Sequence, residues 1–186
     1  MDVLEALTLA HDRAATVVTV VAGTGGALDR PTPCEEWDVR ALANHLVGIT
    51  WMFTLANQGQ QASEGDGDLL GTDPAAAMAA ARDANLASWR APGAFDGDRS
   101  YPFGAFPAPA AALVNLEELV VHTWDLSKAT GQDPAIDPAI AGLVFDFCRS
   151  IPLDDYRAHG AFGPAVPVPA TAPATDRLVA LLGREP

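Results

Sequence analysis

Apolar residues recur at spacings of three and four along most of this chain, and clusters of Gly and Pro cut that recurrence into separate segments. Within residues 3–21, Leu4, Leu7, Ala10, Ala14, Val17 and Val21 fall on one face of a predicted first helix, which Gly23, Gly25 and Gly26 stop. Asp38 is placed to cap a second helix reaching about residue 57, with Val39, Leu42, Leu46, Ile49 and Phe53 on its apolar face. Asp73-Pro74 opens a third, alanine-rich helix to about residue 89. A fourth spans about 109–130 and is closed by Gly131; a fifth follows Asp137-Pro138 to about residue 149; a short last one covers 175–182. Between them lie a proline-stiffened loop at 30–37, a Gly-, Gln- and Asp-rich loop at 58–72 expected to be exposed and mobile, and a proline-punctuated stretch at 91–108. A Pro/Ala arm covers residues 163–173. No segment alternates as a strand does, so the order predicts an all-α helical bundle. One domain over residues 1–186 is expected, with a C-terminal arm from about 150 to 186.

Charge narrows the partners. With 24 acidic residues against 11 basic ones the net charge is −13, a field that repels phosphate backbones and anionic headgroups. No nucleic-acid partner and no membrane are expected, and the longest apolar stretch, 106–114, is far short of the roughly 20 residues of a span. Cys34 and Cys148 make no disulfide framework, and the acidic opening Met-Asp-Val-Leu-Glu does not resemble a leader. A cytoplasmic location with reduced thiols is the expectation.

Chemistry concentrates on the fourth helix. Asn115, Glu118, His122 and Asp125 are separated by three, four and three residues, which aligns them on one helical face. Glu118 and His122, one turn apart, could share a divalent ion; equally, such a stripe could be the solvent face of a helix whose Leu116, Val120 and Trp124 point inward. His45 lies on the apolar face of the second helix, either as a core histidine or as a third ligand arriving from a facing helix. Asp125 could orient an imidazole or face water. Cys34 reads as a small buried residue fixing its loop or as a thiol beside a helix N-terminus, and Cys148 as packing. His11 and His159 are expected at the surface, Trp37 and Trp124 in the core or beside a pocket. There is no nucleophile elbow, phosphate loop or HExxH.

Three stretches carry a resemblance. Thr32-Pro33-Cys34 followed by Trp37-Asp38-Val39-Arg40 and His45-Leu46-Val47-Gly48 resembles the first signature of actinobacterial metal-binding DinB-like proteins. These are similar to the N-terminal domain of mycothiol-dependent maleylpyruvate isomerase. Glu118, then His122-Thr123-Trp124-Asp125-Leu126 and Ala129-Thr130-Gly131, resembles the second, and Asp176-Arg177-Leu178 with Leu182-Gly183-Arg184 and Pro186 resembles the ending of one subgroup. The resemblance implies a DinB-like four-helix bundle with additional short helices and a Pro-rich arm. It also implies a divalent metal, zinc or another such as nickel, on His45, Glu118 and His122. Relatives use low-molecular-weight thiols such as mycothiol and are often homodimers. The implied activity is thus a metal-dependent thiol S-transferase or isomerase-like enzyme acting on a small-molecule substrate. The isomerase's own C-terminal domain has no room in these 186 residues, so the metal site is expected more than the isomerisation. Loop 58–72 and segment 100–109 are expected to border the cleft. A metal- or small-molecule-binding module without turnover is the alternative.

Overall fold

The computed structural model describes residues 1–34 and 37–186; Glu35 and Glu36, in the loop expected at 30–37, lie outside the described residues. The protein is mostly helical, in two compact units, one comprising Asp2–Pro134 and the other essentially Ala135–Pro186.

The first unit holds α1 (Val3–Gly23), α2 (Val39–Asn57), α3 (Pro74–Arg90) and α4 (Ala108–Thr130). Three of these begin at an aspartate whose carboxylate accepts a backbone N–H of the first turn: Asp2 from Glu5 (2.8 Å), Asp38 from Ala41 (2.8 Å) and Asp73 from Ala76 (3.0 Å). α4 starts without a side-chain cap and ends at Gly131, whose φ of 72° is the left-handed conformation that glycine adopts without strain. α1 and α2 each pack against both α3 and α4, burying Leu7, Leu42, Leu46, Phe53, Met78, Trp89, Leu116 and Leu119. α4 is buried nearly all round: from Asn115 to Ser127 only Glu118 and His122 retain partial exposure. The stripe found in the sequence is therefore not a solvent face. Asn115 accepts a hydrogen bond from Trp89 Nε1 (2.9 Å) in the interior, and Asp125 is fully buried.

Two features depart from the sequence reading. A short antiparallel hairpin, β1 (Asp98–Tyr101) and β2 (Gly104–Pro107), occupies the proline-punctuated stretch where no strand was expected. Each strand has only four residues, too few for a legible alternation. Its hold is aromatic: Tyr101 packs on Phe53 of α2 at 4.8 Å and stacks on Phe103 at 5.2 Å between ring centroids. The loop at 58–72 is mostly exposed, as expected, but it is tied down on α2. Leu70 is buried, and Asn44 and Arg40 of α2 bind its backbone and Asp68.

The second unit comprises α5 (Pro138–Ser150), α6 (Leu153–Ala158) and α7 (Ala174–Leu181). Asp137 caps α5 through the N–H groups of Ala139 (2.8 Å) and Ile140 (3.3 Å). α5 packs on α7, where the Arg177 guanidinium lies 4.6 Å from the Phe145 ring centroid. The extended segment before α7 is fastened by Val166 N–H donating to Ala180 O (2.8 Å), and Arg157 donates to Gly163 O (3.1 Å) and Leu181 O (2.7 Å). α6, only six residues long, is absent from the periodicity reading. Cys148 is buried, as read.

His159 is exposed, as expected, but His11 is fully buried on α1. Asn85 Nδ2 donates to Thr50 O (3.1 Å) and Thr54 Oγ1 (3.2 Å), so its Oδ1 is the acceptor facing His11 Nε2 at 2.9 Å. The His11 proton must then sit on Nε2, leaving Nδ1 as a lone pair without a partner. A second proton would place an N–H in a dry core with nothing to accept it. Burial accordingly lowers the His11 pKa to about 4, against the raising effect of the Asn85 hydrogen bond.

The sign of the linkage is destabilisation in acid: below 6.5 the unfolded chain takes up a proton that the folded chain refuses until about 4. Between those values His11 should cost up to about 3 kcal/mol of stability as pH falls, at about 1.4 kcal/mol per pH unit. Denaturant unfolding of the protein and of His11→Gln at pH 7, 5.5 and 4 measures it. The stability difference between the two should move by that amount in favour of the variant as pH falls, and a constant difference would refute the assignment.

Candidate metal centre

The chain before α2 is shaped by its own backbone. Val39 N–H donates to Arg30 O (2.9 Å), Arg40 N–H to Leu28 O (2.9 Å), and the Thr32 hydroxyl accepts from Cys34 N–H (3.1 Å) while donating to Trp37 O (2.8 Å). These bonds place Cys34 and Trp37 over the start of α2, close to α4. Of the two places read for it, in the core or beside a pocket, Trp37 takes the second. It is partly exposed, its ring centroid 4.5 Å from that of His45 and 6.0 Å from that of His122; Trp124 is the buried one.

The second turn of α2 and the middle of α4 bring His45, Glu118 and His122 together. One carboxylate oxygen of Glu118 lies 3.1 Å from His122 Nε2 and 3.5 Å from His45 Nε2. The two imidazoles meet edge to face, with centroids 5.0 Å apart. All three ligand-type atoms lie within 4.8 Å of one another. Nitrogen and oxygen donors on a tetrahedral zinc ion, at bond lengths of roughly 2.0–2.2 Å, would sit about 3.4 Å apart. The observed 3.1 and 3.5 Å bracket that spacing. Side-chain exposures of 14% for His45, 13% for His122 and 22% for Glu118 leave each member of the trio slightly accessible to solvent.

The other ring nitrogens face carboxylates. His122 Nδ1 lies 3.2 Å from Asp125 Oδ2, and His45 Nδ1 lies 2.9 Å from Glu64 Oε2. Asp125 is fully buried one turn beyond His122 and also accepts from the Cys34 thiol (3.2 Å), whose sulfur is 3.9 Å from His122 Nδ1. Cys34 is thus half-buried and tied to the site; of the two readings, a buried residue fixing its loop and a thiol beside a helix N-terminus, the second is nearer its place. A carboxylate only accepts, so each Nδ1 carries a proton, and each Nε2 is directed to Glu118. Cys34, His122 and Asp125 also lie close enough to form a second ligand-type group that shares His122.

The electrostatics follow. Burial disfavours charge on both imidazoles, yet hydrogen bonds donated to Glu118 and Glu64 raise the His45 pKa, and those made with Asp125, Cys34 and Glu118 raise that of His122 well above 6.5. Burial likewise opposes ionisation of Glu118, but its hydrogen bonds to His122 and His45 win and hold its carboxyl far below the usual range. The cluster therefore attracts two positive charges, as two protons or as one dication. The donor set, two imidazoles and a carboxylate with a further position open, fits a divalent ion such as zinc.

Among the sequence candidates, His45, Glu118, His122 and Asp125 come together, whereas His11 is buried elsewhere with Asn85. Glu64 was missed because it lies in a polar loop with no periodicity to single it out. In segment 100–109, Tyr101 packs on Phe53, about two helical turns beyond His45 on α2.

Asp125→Asn keeps the size of the side chain and removes its charge. In protein stripped with EDTA, the His122 pKa followed by imidazole NMR should fall toward 6.5 from its raised position. An unmoved titration would show that Asp125 is not what sustains it.

The chain matches the model of the mycothiol maleylpyruvate isomerase N-terminal domain over residues 7–127, which takes in every residue of the trio. It is also 30% identical over 181 residues, 95% of its length and 96% of theirs, to two uncharacterized proteins of Mycobacterium tuberculosis, from strains CDC 1551 / Oshkosh and ATCC 25618 / H37Rv. No solved structure matches. The chain belongs to the family of the mycothiol maleylpyruvate isomerase N-terminal domain.

Proposed function

We propose that this protein is a DinB-like four-helix bundle, extended by short helices and a Pro-rich C-terminal arm, that binds one divalent cation, zinc by preference, and uses it in thiol chemistry. The observation that carries the reading is the convergence of His45 Nε2, His122 Nε2 and a Glu118 oxygen from two helices at donor spacing. Family membership supports the thiol as co-substrate, since the matching domain is named for mycothiol.

His45, Glu118 and His122 are the ligands in this reading. When bound, the cation supplies an open position at which a thiol sulfur is deprotonated and becomes a nucleophile. The protein's own groups do the rest. Asp125 keeps the Nδ1 proton of His122 in place, which fixes Nε2 as the donor nitrogen. Trp37 covers one face of His45 and restricts that side to flat or apolar groups. Such a thiolate would suit S-transfer, in which a C–S bond forms as the leaving group departs from an electrophilic carbon with the bonding pair, or isomerisation, in which the sulfur adds to an activated alkene and is expelled again after rotation. With His45, Glu118 and His122 as ligands, none of the three would serve as a separate base. Among the described residues no helix is long and apolar enough to cross a membrane.

Elemental analysis of protein purified without added metal should find about one zinc or similar ion per chain. EDTA should lower the melting temperature, zinc should restore it, and His122→Ala should lose both effects. In the presence of a low-molecular-weight thiol and a broad electrophile such as a chlorodinitroarene, zinc-loaded protein should consume thiol faster than His122→Ala. Equal rates with zinc bound to the wild type would leave a cation-binding module without turnover; no bound ion and no EDTA effect would remove the reading altogether.

A further inference from the structure

The loop between α2 and α3 is seated along one edge of α2. Arg40 pairs with Asp68 at 2.7 Å. Asn44 Oδ1 accepts from Leu69 N–H (2.7 Å) and Leu70 N–H (3.0 Å), and its Nδ2 donates to Gly67 O (3.1 Å). One turn further, Gly48 gives the loop room: a Cβ there would lie 2.8 Å from the Glu64 carbonyl oxygen and 3.3 Å from Glu64 Cβ. Residues 40, 44 and 48 follow one another at four-residue intervals, and His45 borders that line. The seat therefore presses Glu64 against α2 beside His45, and its carboxylate meets His45 Nδ1 at 2.9 Å.

An imidazole offers a lone pair from one nitrogen only, and the partner of the other nitrogen decides which. We infer that Glu64 is the positioning residue for His45, holding its proton on Nδ1 so that Nε2 faces Glu118, and that the loop 58–73 sets cation affinity by delivering this carboxylate. The inference rests on the cation-binding reading above. Glu64 does for His45 what Asp125 does for His122, with one physical difference. Asp125 is rooted in the same helix as its histidine and fully buried, whereas the Glu64 side chain is 42% exposed and reaches its histidine from a loop. Water competes for Glu64, so the contact lasts only while the Asn44, Arg40 and Gly48 contacts hold the loop down. One ligand of the proposed ion is fixed by the core, and the other is adjustable from the surface.

The test compares full-length wild type with Glu64→Leu, Glu64→Gln and Gly48→Ala. Zinc affinity is measured by competition with a chromophoric chelator, and the His45 ring is followed by long-range proton–nitrogen correlation NMR of the zinc-loaded protein. Loss of an outer carboxylate of this kind costs about 10–100-fold in affinity, and Glu64→Leu should show that loss. Glu64→Gln, which keeps an acceptor oxygen, should recover much of it. Gly48→Ala should weaken zinc binding without removing any polar group, by lifting the loop. The His45 Nδ1 proton should exchange faster in Glu64→Leu than in the wild type, while the His122 ring signals stay in place. Wild-type affinity and unchanged His45 signals in Glu64→Leu would overturn the inference and leave the cation site standing. A wild type that takes up no zinc would instead overturn the cation reading, and this inference with it. If Glu64→Leu fails to fold, the same affinity and exchange comparison in Gly48→Ala decides the matter.

Discussion

Everything of functional interest in this chain depends on one carboxylate being shared by two imidazoles across the contact between α2 and α4. Glu118 sits on a helix buried on almost every side, and an ionised carboxylate there is tolerable only with close positive partners. His45 and His122 are those partners, and their own burial is tolerable only because Glu118, Glu64 and Asp125 answer it. No member of the cluster is comfortable alone. Such mutual dependence ties helix packing to chemistry: a shift of α2 against α4 large enough to part Glu118 from His45 would strand charge in the interior.

The same economy of partners runs through the rest of the first unit. Asn115 receives the indole N–H of Trp89, and Asn85 bridges His11 on α1 to Thr50 and Thr54 on α2. These contacts cross helix interfaces that are otherwise apolar and that set no direction of their own. Directional hydrogen bonds between specific positions select one register of the helices, and the metal-type cluster inherits its spacing from that register.

Much of this was legible in the sequence, for reasons that can be named. The helices were readable because aspartate caps and Gly or Pro stops stand at their ends, at Asp38, Asp73-Pro74, Asp137-Pro138 and Gly131. His45, Glu118 and His122 were readable because ionisable residues on an apolar helical face need a reason to be there. The hairpin 98–107 and the six-residue α6 were not, since elements of one turn or four residues leave too short a trace in hydrophobic periodicity. His11 looked like a surface histidine because its partner, Asn85, is 74 residues away and carries no local signature. Glu64 was hidden in the same way. Its signal was indirect, residing in Gly48, a glycine inside a helix that reads as a weak point until a loop carbonyl is found lying against it.

The polarity of the cluster bears on what it can do. On the inner side, Asp125 is fully buried and His122 is clamped between it and Glu118, a rigid and largely dry arrangement. On the outer side, Trp37 and Glu64 are part-exposed and belong to segments that precede and follow α2. A cation held here would be fixed from within and approached from without, so a thiol or an electrophile would enter over loop residues and not through the helical core.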